Sequence, residues 1–506
     1  MMKLGRFKRR AMMIVAGCAL VGGLAMASCS GPDQLYHRVC ADGPSGGDCI
    51  KREHFVQTRG DDCAGAGRAM CFGTGNDGWD TGLLGTHPGM TPSPFEYAAL
   101  EYRSDVDATA QRWQPQQMEA IVDRIAAIRR GGQQVYLVTF VHGWHHNAQE
   151  TRGREDAAPQ NRNLRYFKHI LAKSVAELAA RGSRNHRVVG VYVGWNGGDA
   201  TSMLTIGDRA RAADRIGTSN DFATDLSRLA DAAGSSAAEA GAEGRMLVIG
   251  HSFGGRIVSR FMLRQVAEGR GWAPLGPRTL VSTINPAIGA DAFDALMALP
   301  PADTSLPPSW VNFTSTDDYA TGIVFSTAAT IGRVAIFGYG VTDRVLSASG
   351  YQAIGHYRPY VTHRLAIDHF KAQEKPGLGL VAVTQRGWPG PCHVALGEET
   401  YPPVLDGRRT DWFRIPTGVK TARKAVWFGG RETECVSRHY VSTLSTGGDE
   451  GRDLHSVPGR MWNVTGDRNL VDAEGLNDTS TPLHNAFVQT LLTRMLLELT
   501  FAQAVP

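Results

Sequence analysis

Outside residues 11–28, no apolar run in this chain is long enough to cross a bilayer, which excludes a bundle of membrane-spanning helices. A one-sided charge is missing too. Residues 1–28 hold five basic groups (Lys3, Arg6, Lys8, Arg9, Arg10) and no acidic ones, and taking these five from the 53 basic residues leaves 48 against 49 acidic ones. A body so close to neutral, with no basic run, argues against a nucleic-acid partner. No C-x-x-C pair occurs, which removes the common zinc frameworks. No G-x-G-x-x-G stands after the first strand and no G-x-x-x-x-G-K-[ST] is present, so dinucleotide and P-loop enzymes are disfavoured. No internal repeat is visible, which sets aside solenoids and propellers.

What is present suits a folded protein: 506 residues, 42% apolar and 20% charged, room for one large domain with insertions or for about two to three ordinary ones. The N-terminus reads as an export signal over residues 1–28, a basic start followed by an uncharged stretch. It meets Met26-Ala27-Ser28-Cys29-Ser30, small residues before a cysteine as in a bacterial lipobox. Lipidation of Cys29 is therefore expected, giving an envelope protein anchored to a membrane. Ala25-x-Ala27 also suits ordinary cleavage and a secreted product, and an uncleaved anchor is the third reading. Val15-Ala16-Gly17-Cys18 matches the lipobox better but leaves only a stub of apolar sequence before it. Six further cysteines, an even number, suit an oxidising compartment. The expected bridges are Cys40–Cys49, Cys63–Cys71 and Cys392–Cys435, although sequence does not fix connectivity.

Residues 29–92, rich in Gly, Asp and Cys, read as a stapled tether ahead of a domain over 93–506. Strands are expected at 95–104, 134–143, 186–195, 245–250, 278–287, 309–315 and 461–466. Several are continuous apolar runs of the kind buried on both faces of a parallel sheet. Helical spacing appears at 116–130 (Met118, Ile121, Val122, Ile125, Ile128), at 221–233 and at 254–268. A last helix from about Asn485 carries the stripe Val488, Leu491, Leu492, Met495, Leu496 and Leu499. Strand and helix in alternation imply an α/β fold with a mostly parallel, doubly wound sheet. The rhythm breaks over about 325–455, read as a large insertion before the last strand that covers or borders the site.

The chemistry centres on "LVIGHSFGGR" (247–256). A serine hydroxyl is a poor nucleophile near neutral pH and needs a base, an acid to orient that base, and donors for an oxyanion. Gly250-His251-Ser252-Phe253-Gly254 fits G-x-S-x-G between an apolar strand and a helix, the setting in which that motif lifts a nucleophile onto a tight turn. A glycine-packed structural turn is the bland alternative. Asp317 and Asp318 both qualify as the acid after "WVNFTST". His142, His145 and His146 sit too close together, without a carboxylate partner, to read as a metal site, so no metal is expected.

With "FVHGWHHNA" (140–148), "VVGVYVGWNGG" (188–198), "STDDYA" (315–320) and "PLHNAFV" (482–488), the chain resembles an α/β-hydrolase-fold serine hydrolase of the bacterial esterase- and lipase-like kind. The resemblance implies Ser252 as nucleophile and Asp318, two residues before Ala320, as acid. It implies His484 as base, in the chain order Ser, Asp, His. Backbone N–H groups of Trp144 and Phe253 would form the oxyanion hole, with Gly143 in the loop and His142 holding it by hydrogen bonds. His356, His363, His369, His439 and His455 lie between acid and base, and His455 is the main rival. The activity implied is hydrolysis of a small-molecule or lipid ester through an acyl-enzyme, without a cofactor. Acyl transfer on the same triad, or an envelope lipoprotein that keeps the fold as a non-catalytic scaffold, are the alternatives.

Overall fold

The structure, a computed structural model, describes residues 34–40, 49, 52, 56–59, 95–103, 111–149, 162–180, 182–183, 185–198, 206–236, 243–299, 307–326, 348–369, 394–396, 412–421, 426–428, 431–433, 439–446, 460–466, 484 and 490–503. Its centre is a run of parallel strands: β1 (Phe95–Arg103), β2 (Gln134–Val141), β3 (His186–Gly194), β4 (Arg245–His251), β5 (Thr279–Ile284), β6 (Trp310–Ser315), β7 (His363–His369) and β8 (Met461–Gly466). Their order across the sheet is β1-β3-β2-β4-β5-β6-β8-β7. Parallel neighbours need crossovers, and helices α1 (Pro115–Arg130), α2 (Arg162–Ala180), α3 (Ile206–Gly217), α4 (Asn220–Ala233) and α5 (Phe253–Ala267) lie in the connections, while α6 (Thr490–Ala502) follows the last strand.

Side chains alternate across each strand, so the sheet feeds two cores. In β2, Val135, Leu137 and Val141 join Ile121 of α1, Leu226 of α4 and Ile257 of α5 on one face. Tyr136, Val138 and Phe140 join Phe167 of α2 and Met495 of α6 on the other. Strands buried on both faces carry near-continuous apolar sequence, which is why they were legible. α2 and α3 were not anticipated. In α2 the buried Lys168 and Lys173 interrupt the apolar stripe, and Lys168 Nζ sits 4.8 Å from the centroid of the Tyr97 ring. In α3 the buried face is mostly small: Ala212, Ala213 and Ile216 around Arg209.

Part of the stretch read as an insertion before the last strand joins the sheet. β7, from within it, pairs in parallel with β8 on the side away from β6, so β8 is interior. Beyond β7 the sheet continues antiparallel through His439–Thr446, Trp412–Thr421 and Val394–Leu396. At the other edge Gln57–Arg59 and Gln111–Arg112 pair antiparallel with β1. The 13 strands of this sheet are thus mostly parallel with antiparallel borders. Among the described residues, no helix is long and apolar enough to cross a membrane. Cys40 and Cys49 form the expected disulfide, with Cα atoms 5.1 Å apart. The other expected pairs, the signal segment with Cys18 and Cys29, and residues 485–489 lie outside the described residues.

Near the start of β1 the fully buried Glu96 takes Arg124 of α1 (2.6 and 2.8 Å) and Arg187 of β3 (2.9 and 3.0 Å). Burial pushes its carboxyl up, and the two guanidinium groups outweigh that and hold it below the usual range. Removing the carboxylate leaves two cations facing an apolar sheet. Glu96→Ala is therefore expected to lose about 3 kcal/mol in urea unfolding, against a change under about 1 kcal/mol for an exposed pair such as Arg211–Asp208.

Candidate active site

The site lies where β4 ends and α5 begins. Ser252 occupies the turn with φ 55° and ψ −119°, a strained region for a residue with a side chain, and is 7% exposed. Three backbone bonds hold it: its N–H donates to Ile284 O (3.1 Å), and its carbonyl accepts from Arg256 N (3.1 Å) and Ala287 N (3.0 Å). Gly250 and Gly254 let strand and helix meet. A Cβ at Gly254 would lie 2.0 Å from Val141 O, which no side chain can occupy. Phe253 is the first residue of α5, and a helix leaves its first N–H groups without internal acceptors.

The loop after β2 passes directly over this turn. A Cβ at Gly143 would sit 2.9 Å from Ser252 Cβ and 3.2 Å from His251 O. His142 fixes the loop as expected, through both ring nitrogens. Its Nδ1 donates to Gly143 O (2.8 Å) and its Nε2 accepts from Trp195 N (3.0 Å). Trp195 Nε1 returns a bond to His142 O (2.9 Å), and the two rings stack at 5.6 Å. Burial pulls His142 down to about 4, so the ring is neutral and its tautomer is set by these partners. Trp144 packs edge-on against Phe253 at 6.3 Å, and its ring stacks on that of His145. Among the described residues, the backbone N–H groups of Trp144 and Phe253 have no protein acceptor.

The two aspartates separate cleanly. Asp317 is exposed, whereas Asp318 is 1% exposed and accepts from Ala320 N (2.9 Å), from the Thr321 hydroxyl and from His484 Nδ1 (2.9 Å). Burial pushes Asp318 up, but the His484 charge and hydrogen bond, with those of Thr321 and Ala320, outweigh it and bring the carboxyl to about 2. His484 is therefore paired with the aspartate expected for it, across 166 residues of sequence. His363, one of the intervening histidines, is buried at the start of β7 against Trp462 and Thr362, and burial lowers it to about 3. His455 lies outside the described residues.

Two residues not singled out from sequence complete the setting of His484. The His484 carbonyl accepts from His251 Nε2 (2.9 Å) and from Asn285 Nδ2 (2.9 Å), one donor from the elbow and one from the end of β5. Asn285 has φ 45°, and its Oδ1 accepts from Ser315 N (3.0 Å), linking β5, β6 and the His484 segment. Burial drives His251 well below the usual histidine range, which suits a neutral ring donating from Nε2. No sequence motif carries these roles, because the partner is a backbone carbonyl. Among the described residues, Ser252 Oγ makes no hydrogen bond, and the link between Ser252 and His484 runs through His251, whose ring centroid is 4.7 Å from that of His484.

A depressed carboxyl contributes stability above its unfolded pKa of about 4 and loses it as pH falls toward 2. Wild type is thus expected to exceed Asp318→Asn in urea stability at pH 6, and the gap should shrink by about 2 kcal/mol by pH 2.5. A gap independent of pH would mean that Asp318 is not held ionised by its partners.

No family model, curated protein or solved structure matches this chain.

Proposed function

We propose that the protein is a serine hydrolase of carboxylic esters on an α/β-hydrolase fold. The observation that carries this reading is the His484–Asp318 pair, held at the same C-terminal end of the parallel strands as the strained Ser252 turn. The parallel order β1-β3-β2-β4-β5-β6-β8, with the serine after the central β4 and the aspartate after β6, supports it. So does the loop of His142, Gly143 and Trp144 folded over the elbow.

In this mechanism His484 Nε2 takes the Ser252 proton as Oγ attacks the ester carbonyl. Asp318 holds the proton on Nδ1 and stabilises the imidazolium that forms. The tetrahedral oxyanion is received by the N–H groups of Trp144 and Phe253, with the positive end of α5 behind them. His484 then protonates the departing alcohol, activates a water against the acyl-enzyme, and the acid leaves. No cofactor enters. The substrate is a small-molecule or lipid ester. Export through the signal at 1–28, with lipidation at Cys29, would hold the enzyme at an envelope membrane; the Cys40–Cys49 disulfide supports an oxidising compartment.

The test is labelling of the purified protein with a fluorophosphonate probe, followed by hydrolysis of p-nitrophenyl esters of increasing chain length. Wild type is expected to label, and Ser252→Ala and His484→Ala to lose labelling. Asp318→Asn should lower kcat by about four orders of magnitude, since it spoils the imidazole tautomer. A folded wild type that neither labels nor hydrolyses any ester would sink the reading in favour of a scaffold.

A further inference from the structure

The acid has a second chain of groups behind it that the mechanism above does not use. Asp318 Oδ2 receives the Thr321 hydroxyl as well as His484 Nδ1, so two donors share one carboxylate oxygen. Thr321 Oγ1 in turn lies 3.0 Å from His356 Nε2. A hydroxyl has one proton to give, and the ionised carboxylate can only accept. The Thr321 proton therefore goes to Asp318, and His356 Nε2 must donate to Thr321 Oγ1. The direction of the chain is fixed: His356 to Thr321 to Asp318, with His484 meeting the same oxygen from the other side.

The fold builds this chain deliberately from two segments. Thr321, 2% exposed, belongs to a single π-helical turn, Ala320–Val324, that begins just after the acid. His356 arrives from a strap tied to the loop after β5 by the Gly289–Ala353 bridge and by Ile354 N to Ile288 O (3.1 Å). Its ring packs against the backbone of Gly322, where a Cβ would come within 3.4 Å of Cε1. Burial lowers His356, with Asp318 and His484 as the charged groups that bear on it. A neutral ring with its proton on Nε2 matches the donor role.

We propose that Thr321 and His356 are positioning residues for the catalytic acid, with the Thr321 hydroxyl setting both the orientation of Asp318 and its grip on His484. The inference rests on the hydrolase reading for its kinetic consequence, but the hydrogen-bond chain stands apart from it. The Thr321 hydroxyl withdraws charge from Oδ2. Without it, the carboxylate is a stronger acceptor for His484 and holds the imidazolium more firmly, while losing one of the contacts that aim it.

The experiment compares Thr321→Val, Thr321→Ser, His356→Phe and His356→Gln in the full-length protein. Two readouts are the pH profile of ester hydrolysis and the low-field proton resonance of the imidazole N–H bonded to Asp318. Thr321→Val is expected to cut kcat about tenfold with KM changed less than about twofold, and to move the acidic limb of kcat/KM upward by about half a pH unit. Its low-field resonance should move further downfield. Thr321→Ser, which keeps the hydroxyl, should stay near wild type in both. His356→Phe should shift both readouts in the same direction by less, and His356→Gln, which restores a donor, should return most of the loss. A folded Thr321→Val with the wild-type resonance overturns the proposal, whether or not any ester is hydrolysed. So does a Thr321→Ser that fails as badly as Thr321→Val, because bulk rather than the hydroxyl would then matter. If wild type shows no esterase activity and no probe labelling, the hydrolase reading fails by itself, and the resonance still decides the chain.

Discussion

A serine forced to φ 55° and ψ −119° stores about 1–3 kcal/mol of backbone strain, and the surrounding structure has to offset it. It does so from three directions. β5 supplies the Ile284 carbonyl, the loop after β5 supplies the Ala287 N–H, and α5 supplies the Arg256 N–H. The close approach of Gly254 to Val141 O and of Gly143 to Ser252 Cβ removes the room into which the turn could relax. The central strands therefore do more than fill a core: β5 ends in the carbonyl that the Ser252 N–H meets, and β2 ends in the carbonyl that leaves no room for a side chain at Gly254.

Around that turn, burial decides which groups carry charge. His142 and His251 are kept neutral by desolvation, and each is left with a fixed proton by its backbone partners. Asp318 is as deeply buried, yet stays ionised because His484, Thr321 and the Ala320 N–H all meet it. Among the described residues, the result is a buried anion bonded to His484 with the neutral rings of His142 and His251 near the site. Had His251 been charged, it would have opposed any positive charge on the ring 4.7 Å away.

How far the sequence disclosed this depends on the range of the interaction involved. β2, β3 and β4 were legible because burial on both faces writes an unbroken apolar run. The elbow was legible because its glycines are required by local geometry. Asp318 could be chosen over Asp317 only through resemblance, and burial then separates the two side chains. β7 was missed because both its partners, β8 and His439–Thr446, lie far downstream, and a pairing at that distance leaves no local trace. Asn285 and His251 were missed for a related reason: each meets the His484 carbonyl across about two hundred residues, and any residue has a carbonyl.

The two ends of the candidate triad are consequently held by different physics. Ser252 is held by backbone hydrogen bonds inside a turn whose close glycine contacts exclude free space, which permits almost no adjustment. His484 is held by donors to its carbonyl and by an acceptor at its ring, each a hydrogen bond of about 1 kcal/mol net, or about 1.5–3 where a charge takes part. Directional bonds of that size locate a side chain but allow it small displacements. In the structure Ser252 Oγ and His484 are not yet hydrogen-bonded, and catalytic contacts commonly tighten only when substrate fills the site. In the proposed mechanism the rigid half would define where an ester carbonyl sits. The half that carries His484, with Thr321 and His356 behind it, is the one that the proposed mechanism would require to close onto Ser252.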